Sequence, residues 1–246
     1  MARAQPGSSD PLSSTFDMVR IISLADRHDR RKDVSNTLRR LGLTVDGRSC
    51  AFFDAVRPND PDGFPSIGAR GCFMSHLEVL RAARTDGVET LLILEDDVEF
   101  SRSEVARMSA TLTALSAQSW DIFYGGSPAT PRSAPLTDVP PAEGVQQTHF
   151  IAFSKSAIDM LVPYLEAMLN REPGSPEGGP MHVDGAYSWF RQQSPDIRAY
   201  AATPHIAHQR SSRTDIHMLG TTDTSAILQP FLQVARTIKN AIRSRN

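Results

Sequence analysis

The run Thr90-Leu-Leu-Ile-Leu94, followed at once by Glu95-Asp96-Asp97, constrains this chain more than any other feature. An uninterrupted apolar run of that length reads as a strand buried on both faces, the situation of a parallel sheet covered by helices. In such sheets ligands collect outside the carboxyl ends of the strands, where the three acids stand. Adjacent carboxylates repel one another unless something positive compensates them. One compensation is a divalent cation; the other reading is a solvated strand end whose acids cap the next helix. Mg²⁺ and Mn²⁺ take oxygen ligands, usually one or two carboxylates plus substrate phosphates. In extended backbone Glu95 and Asp97 point to one side and Asp96 to the other.

The rest of the chain alternates strand and helix signals. Met18 to Leu24 reads as a strand, and Val34, Leu38 and Leu41 recur at helical spacing between Asp29 and the stop at Gly42. Cys50 to Val56 is a second strand. Gly68 to Leu80 is helical, with Cys72, His76, Leu77 and Leu80 on one face. Ser101 with Glu104 forms the signature of a capping box. Further strands are expected at Trp120 to Tyr124, Gln147 to Phe153 and Ile197 to Ala201. Helices are expected from Ser154 towards Asn170, with an irregularity at Pro163, and from Val183 to Arg191. A Pro-rich connection from Gly125 to Gly144 is long for a compact domain, as functional lids and disordered loops are. The pattern predicts a single α/β domain with a mainly parallel central sheet flanked by helices.

A chain of 246 residues suits one compact domain with appendages: a flexible tail over 1–17, a folded domain over 18–216, and a linker with a C-terminal helix over 217–246. That helix, from Ala226, carries Ile227, Leu228, Phe231 and Leu232 at helical spacing beside Arg236, Lys239 and Arg243. It reads either as a helix packed on the domain or as a peripheral contact with an anionic membrane. With 26 Lys and Arg against 28 Asp and Glu, the net charge of -2 argues against nucleic acid as a partner. Two cysteines are too few for a disulfide framework or a cysteine-rich zinc site, and buried free thiols in a cytoplasmic protein are the expectation. The tail lacks a secretory signal, and no run approaches a membrane span.

There is no Gly-x-x-x-x-Gly-Lys-Ser/Thr loop, and no Gly-x-Gly-x-x-Gly follows the first strand, which disfavours P-loop and ordinary dinucleotide enzymes. The ordered set Ile22-Ser-Leu-Ala-Asp-Arg-His-Asp-Arg-Arg31, Gly68-Ala-Arg-Gly-Cys-Phe-Met-Ser-His76 and Leu92-Ile-Leu-Glu-Asp-Asp-Val98 resembles glycosyltransferase family 25, with later pieces from Trp120, Thr148 and Val183 and from Pro204 to Ile216. That family includes lipopolysaccharide sugar transferases and collagen galactosyltransferases. The resemblance implies a GT-A-like fold, a UDP-hexose donor (often UDP-galactose), a glycan acceptor, and Mn²⁺- or Mg²⁺-dependent transfer with inversion. A lipid-linked acceptor would place the chain at the inner face of a membrane.

On this reading Glu95 and Asp97 hold the metal, with His208 completing its shell. Arg27, Arg30, Asp54, Gly71 and Asp96 lie on the nucleotide side. Asp184, at a helix start after a Gly/Pro loop, is the candidate general base, an N-cap role being the alternative. Gly71 either lets a helix N-terminus approach phosphate or relieves packing. His76 reads as a buried histidine supporting the site, and His205 as a loop residue. A catalytically silent relative that binds nucleotide sugar or glycan is the rival function. Metal-dependent phosphoester hydrolysis is disfavoured, because no second acid and histidine cluster suits a two-metal site.

Overall fold

The structure, a computed structural model, describes residues 10–127 and 130–210. In chain order its elements are β1 (Met18–Ser23), α1 (His28–Arg40), β2 (Cys50–Asp54), α2 (Ile67–Asp86), β3 (Thr90–Glu95), β4 (Val98–Glu99), α3 (Arg102–Ser116), β5 (Ile122–Tyr124), β6 (Leu136–Asp138), β7 (Phe150–Ser154), α4 (Lys155–Leu169), α5 (Val183–Gln193), β8 (Ala199–Ala202) and β9 (His208–Gln209). Seven strands form one sheet in the order β2-β1-β3-β7-β5-β8-β6, and β4 pairs with β9. Strands β2, β1, β3, β5 and β8 run one way, while β7 and β6 oppose them. The expected α/β domain with a mainly parallel central sheet is therefore the one found.

Local chemistry sets the helix ends. Ser66 caps α2 by accepting the Ala69 N–H at 3.0 Å, and Gly87 closes it at φ +66°, a left-handed conformation that glycine adopts without strain. The capping box of Ser101 and Glu104 opens α3. Ser154 caps α4, which continues through Pro163 instead of breaking there. The N-cap position of α1 is Arg27, not Asp29; the Asp29 charge lies inside the first turn, where the positive end of the helix favours it.

The pleat divides β3 between two cores. Leu91 and Ile93 face one with Phe73, Leu77, Phe153 and Tyr187, and Leu92 and Leu94 face the other with Leu38, Met108, Phe123 and Phe150. The second core also takes in Leu12 and Phe16, both buried, with Phe16 edge-on to Trp120 at 6.2 Å between ring centroids. Packed structure thus begins ahead of Met18, in the stretch expected to be a flexible tail. The sequence-predicted linker and basic C-terminal helix lie outside the described residues. Among the described residues no helix is long and apolar enough to cross a membrane.

Candidate active site

The carboxyl ends of β1, β3 and β5 open on one edge of the sheet. Because β7 runs against them and pairs with both β3 and β5, its leading residues Thr148 and His149 arrive at that same edge beside Glu95. The Thr148 hydroxyl donates to Glu95 Oε1 at 2.7 Å, and the Glu95 N–H donates to the His149 carbonyl at 3.2 Å. His76, buried on α2, places Nε2 3.8 Å from the same carboxylate oxygen. Burial pushes the Glu95 carboxyl up, but His76 and the Thr148 hydroxyl outweigh it and hold the group below its ordinary value.

The chain turns after Glu95, and the three acids separate. Asp96 is buried towards β1 and α1, where its Oδ2 accepts the Ser23 hydroxyl at 2.7 Å and its Oδ1 meets Arg30 Nη1 at 3.1 Å. Asp97 turns to β9, and its Oδ2 accepts Gln209 Nε2 at 2.8 Å. Its other oxygen is buried without a hydrogen-bond partner. Burial, reinforced by the neighbouring Glu95 charge, pushes Asp97 up to about 6. A buried carboxylate oxygen with nothing to satisfy it, next to a second carboxylate, is a donor set suited to a hard divalent cation. Glu95 and Asp97 fit the expected metal on that ground.

Asp184 lies in the first turn of α5, while His182 occupies the capping position, so the helix-capping alternative for Asp184 is not the arrangement found. Its Oδ2 accepts the Gln147 N–H at 3.3 Å, and its Oδ1 accepts the Gly185 N–H at 2.8 Å. It lines a cavity of about 270 Å³ together with Glu95, Cys72, Thr148, His149 and Gln209. It also borders a second cavity, of about 300 Å³, with Val145, Ser188 and Trp189. One carboxylate thus stands between two openings.

The other expected site residues are more dispersed. Arg27 forks onto Asp29 at 3.1 and 3.2 Å on the exposed rim. Asp54 ends β2 largely exposed and is paired with Arg31, whose guanidinium also lies 4.9 Å over the Phe52 ring. Gly71 serves packing: a Cβ there would come within 2.8 Å of the Val56 carbonyl and 3.2 Å of Pro58, so the helix approaches the loop after β2 and no phosphate is needed to explain the residue.

His208 is not brought to the Glu95 and Asp97 carboxylates. Successive residues of a strand face opposite ways, so with Gln209 on Asp97, His208 turns to Glu104 (2.8 Å from Nδ1) and Glu99 (3.7 Å from Nε2). His205 joins it at Glu104, with Nε2 at 3.3 Å. Gln209 therefore takes the place assigned to the histidine. Sequence reasoning also missed Thr148 and Cys72 as members of the site. A group of donor atoms from Cys72, His76 and Glu95 lies within 4.8 Å of one another. Burial, with Glu95, Asp184 and Asp97 nearby, holds the Cys72 thiol well above its ordinary pKa.

The model of glycosyltransferase family 25 (LPS biosynthesis protein) matches residues 65–126, the stretch from α2 through the acids to β5. A probable inactive glycosyltransferase 25 family member 3 from Bos taurus is 25% identical over 88% of this chain and 40% of its own length. Procollagen galactosyltransferase 1 from Danio rerio is 23% identical over 86% of this chain and 39% of its own. The chain thus spans about two fifths of the length of these relatives. Among solved structures, a glycosyltransferase involved in glycosylation of the major capsid of PBCV-1 is 15% identical, covering 76% of this chain and 93% of its own with a TM-score of 0.36.

Proposed function

Given that this chain is related to glycosyltransferase family 25, we propose that it is a glycosyltransferase moving a hexose, galactose or glucose, from a UDP-linked donor to a glycan acceptor with inversion. The observation that carries the reading is the meeting of Glu95 and Asp184 around one cavity at the carboxyl edge of the sheet, with Asp97 held behind its Gln209 wall and keeping one buried oxygen without a partner. Glu95 and Asp97 would hold Mn²⁺ or Mg²⁺, which supplies charge to stabilise the departing diphosphate. Asp96 fixes Arg30 beside that edge, where a guanidinium suits phosphate. Asp184 takes the proton from the attacking acceptor hydroxyl, and its place between the two cavities supports donor on the Glu95 side and acceptor on the Trp189 side. A half-buried tryptophan offers an apolar face for a sugar ring.

Calorimetry with UDP tests this directly. Wild-type protein is expected to bind UDP only with Mn²⁺ present, and Asp97→Asn to lose this metal-dependent binding while staying folded. Equal affinity in the mutant would remove the acids from the mechanism. The inactive relatives support a second reading, in which the chain binds a nucleotide sugar without turning it over. A panel of nucleotide sugars separates the two: metal-dependent binding without donor hydrolysis or transfer selects the silent protein.

For the acceptor, the apolar and basic spacing of Ala226 to Asn246 supports a lipid-linked glycan at an anionic membrane surface. The full chain is expected to sediment with anionic vesicles at low salt, and a chain ending at Ser225 to stay in the supernatant. Absence of the full chain from the pellet would remove membrane contact from the reading.

A further inference from the structure

Cys72 and His76 stand one helical turn apart on α2, on the face turned to Glu95. The His76 ring is fully buried, with Nδ1 2.9 Å from the Tyr187 hydroxyl. Its other nitrogen, Nε2, is buried with no hydrogen-bond partner and points at the Glu95 carboxylate 3.8 Å away. A buried imidazole nitrogen without a partner carries a desolvation cost that something should offset. Glu95 at that separation is too far to be a hydrogen-bond acceptor. In the tautomer whose Nδ1–H donates to the Tyr187 oxygen, the ring presents an Nε2 lone pair to Cys72 and Glu95, the orientation that a metal-binding histidine receives from its supporting contact.

We propose that Cys72, His76 and Glu95 form a three-ligand site for a borderline-soft divalent cation of the Zn²⁺ type, with the fourth position open to the cavity beside Asp184. The spacing suits it. Bonds of about 2.0–2.2 Å in tetrahedral array set nitrogen and oxygen ligands roughly 3.3–3.5 Å apart, so the 3.8 Å pair needs only a small side-chain rotation. Glu95 is common to this site and to the hard-cation pair with Asp97, so the two compete for one ion, and thiolate and imidazole select Zn²⁺ or Co²⁺ over Mg²⁺. On binding, the sulfur–metal bond forms as the Cys72 thiol releases its proton to solvent. Three protein ligands and an open position are the arrangement of a reactive zinc site, not a closed structural one. The site does not depend on the transfer reading, because its test observes the metal itself.

Co²⁺ is the probe, added to protein dialysed against chelator and followed by absorption. Wild-type protein is expected to take up a single equivalent, with a sulfur-to-cobalt charge-transfer band in the near ultraviolet and the strong visible bands of tetrahedral Co²⁺, all removed by Zn²⁺. Cys72→Ser should lose the charge-transfer band and Cys50→Ser should keep it. Tyr187→Phe, which removes the contact behind His76, should keep the band and weaken Co²⁺ binding by about 10- to 100-fold. Absence of the band in wild-type protein, or its survival in Cys72→Ser, overturns the site. Should Cys72→Ser not fold, unchanged Co²⁺ affinity in Tyr187→Phe overturns it instead.

Discussion

Asp184 carries no ion pair among the described residues; its oxygens accept two backbone N–H groups and face the cavity. A residue so held can take a proton without a salt bridge having to break first. Asp184→Asn keeps shape and acceptor geometry on one oxygen, so donor binding should change little while turnover falls by about 10²- to 10⁴-fold, the range for a lost general base. Near-normal turnover under saturating donor would return Asp184 to a structural role, and parallel loss of donor affinity would place it at the nucleotide. At this scale the sequence was legible where chemistry is local. Strand parity predicts Asp96 on one side and Glu95 with Asp97 on the other, but the strand ends at Glu95, and the turn at Asp96 and Asp97 sends each acid to a different partner, Thr148, Ser23 and Gln209. His208 shows the limit: its parity depends on the register of β9 against β4, which no local signal encodes, and one residue of offset exchanges Gln209 for histidine.

At the scale of elements, the least legible feature was the direction of β7. The alternation from Gln147 to Phe153 announces a strand but not that it inserts antiparallel between β3 and β5, because direction is decided by the connections and by pairing with distant partners. That insertion delivers Thr148 to Glu95. A second junction locks the opposite end of the same strands. Asp121 is buried just before β5 and accepts the Arg198 N–H at 2.9 Å, Arg198 Nε at 3.0 Å and the Ser156 hydroxyl at 2.8 Å, joining β5, β8 and α4. Burial raises its pKa, but Arg198 and Ser156 outweigh burial and hold the carboxyl below its ordinary value. A depressed folded-state pKa stabilises the fold above the unfolded value and loses that contribution as pH falls through the folded one. Stability from Asp121 should therefore be intact at neutral pH and decline below about 4. Asp121→Ala should cost about 1–3 kcal/mol at pH 7 by chemical denaturation, with a smaller difference from wild type at pH 3. A difference independent of pH would mean that the charge is not what joins the three elements.

For the molecule as a whole, the sheet has a core on each face, and the two are closed in different ways. One is covered by α2, α4 and α5, whose long apolar faces were legible from helical periodicity. The other has α1 and α3, and the segment from Asp10 to Phe16 completes it. This contribution was hard to read because, in the Ser-, Pro- and Gly-rich composition of residues 1–17, Leu12 and Phe16 form a single i, i+4 pair, too short a repeat to stand out as a helix. Local contacts hold the segment in shape: Asp10 accepts the N–H groups of Leu12 and Ser13 at 3.0 and 2.8 Å, and Asp17 and Thr90 exchange hydrogen bonds that tie it to the start of β3. Leu12 is fully buried, so Leu12→Ala removes its transfer free energy and leaves a cavity in the core that also holds Leu38 and Leu115. The expected cost is about 2–5 kcal/mol, read as a lower denaturant midpoint at unchanged slope. The acids lie at the far end of β3 from the Thr90 contact, so Mn²⁺-dependent UDP binding should survive in the fraction that stays folded. A Leu12→Ala protein as stable as wild type would show that the second core closes without its N-terminal segment.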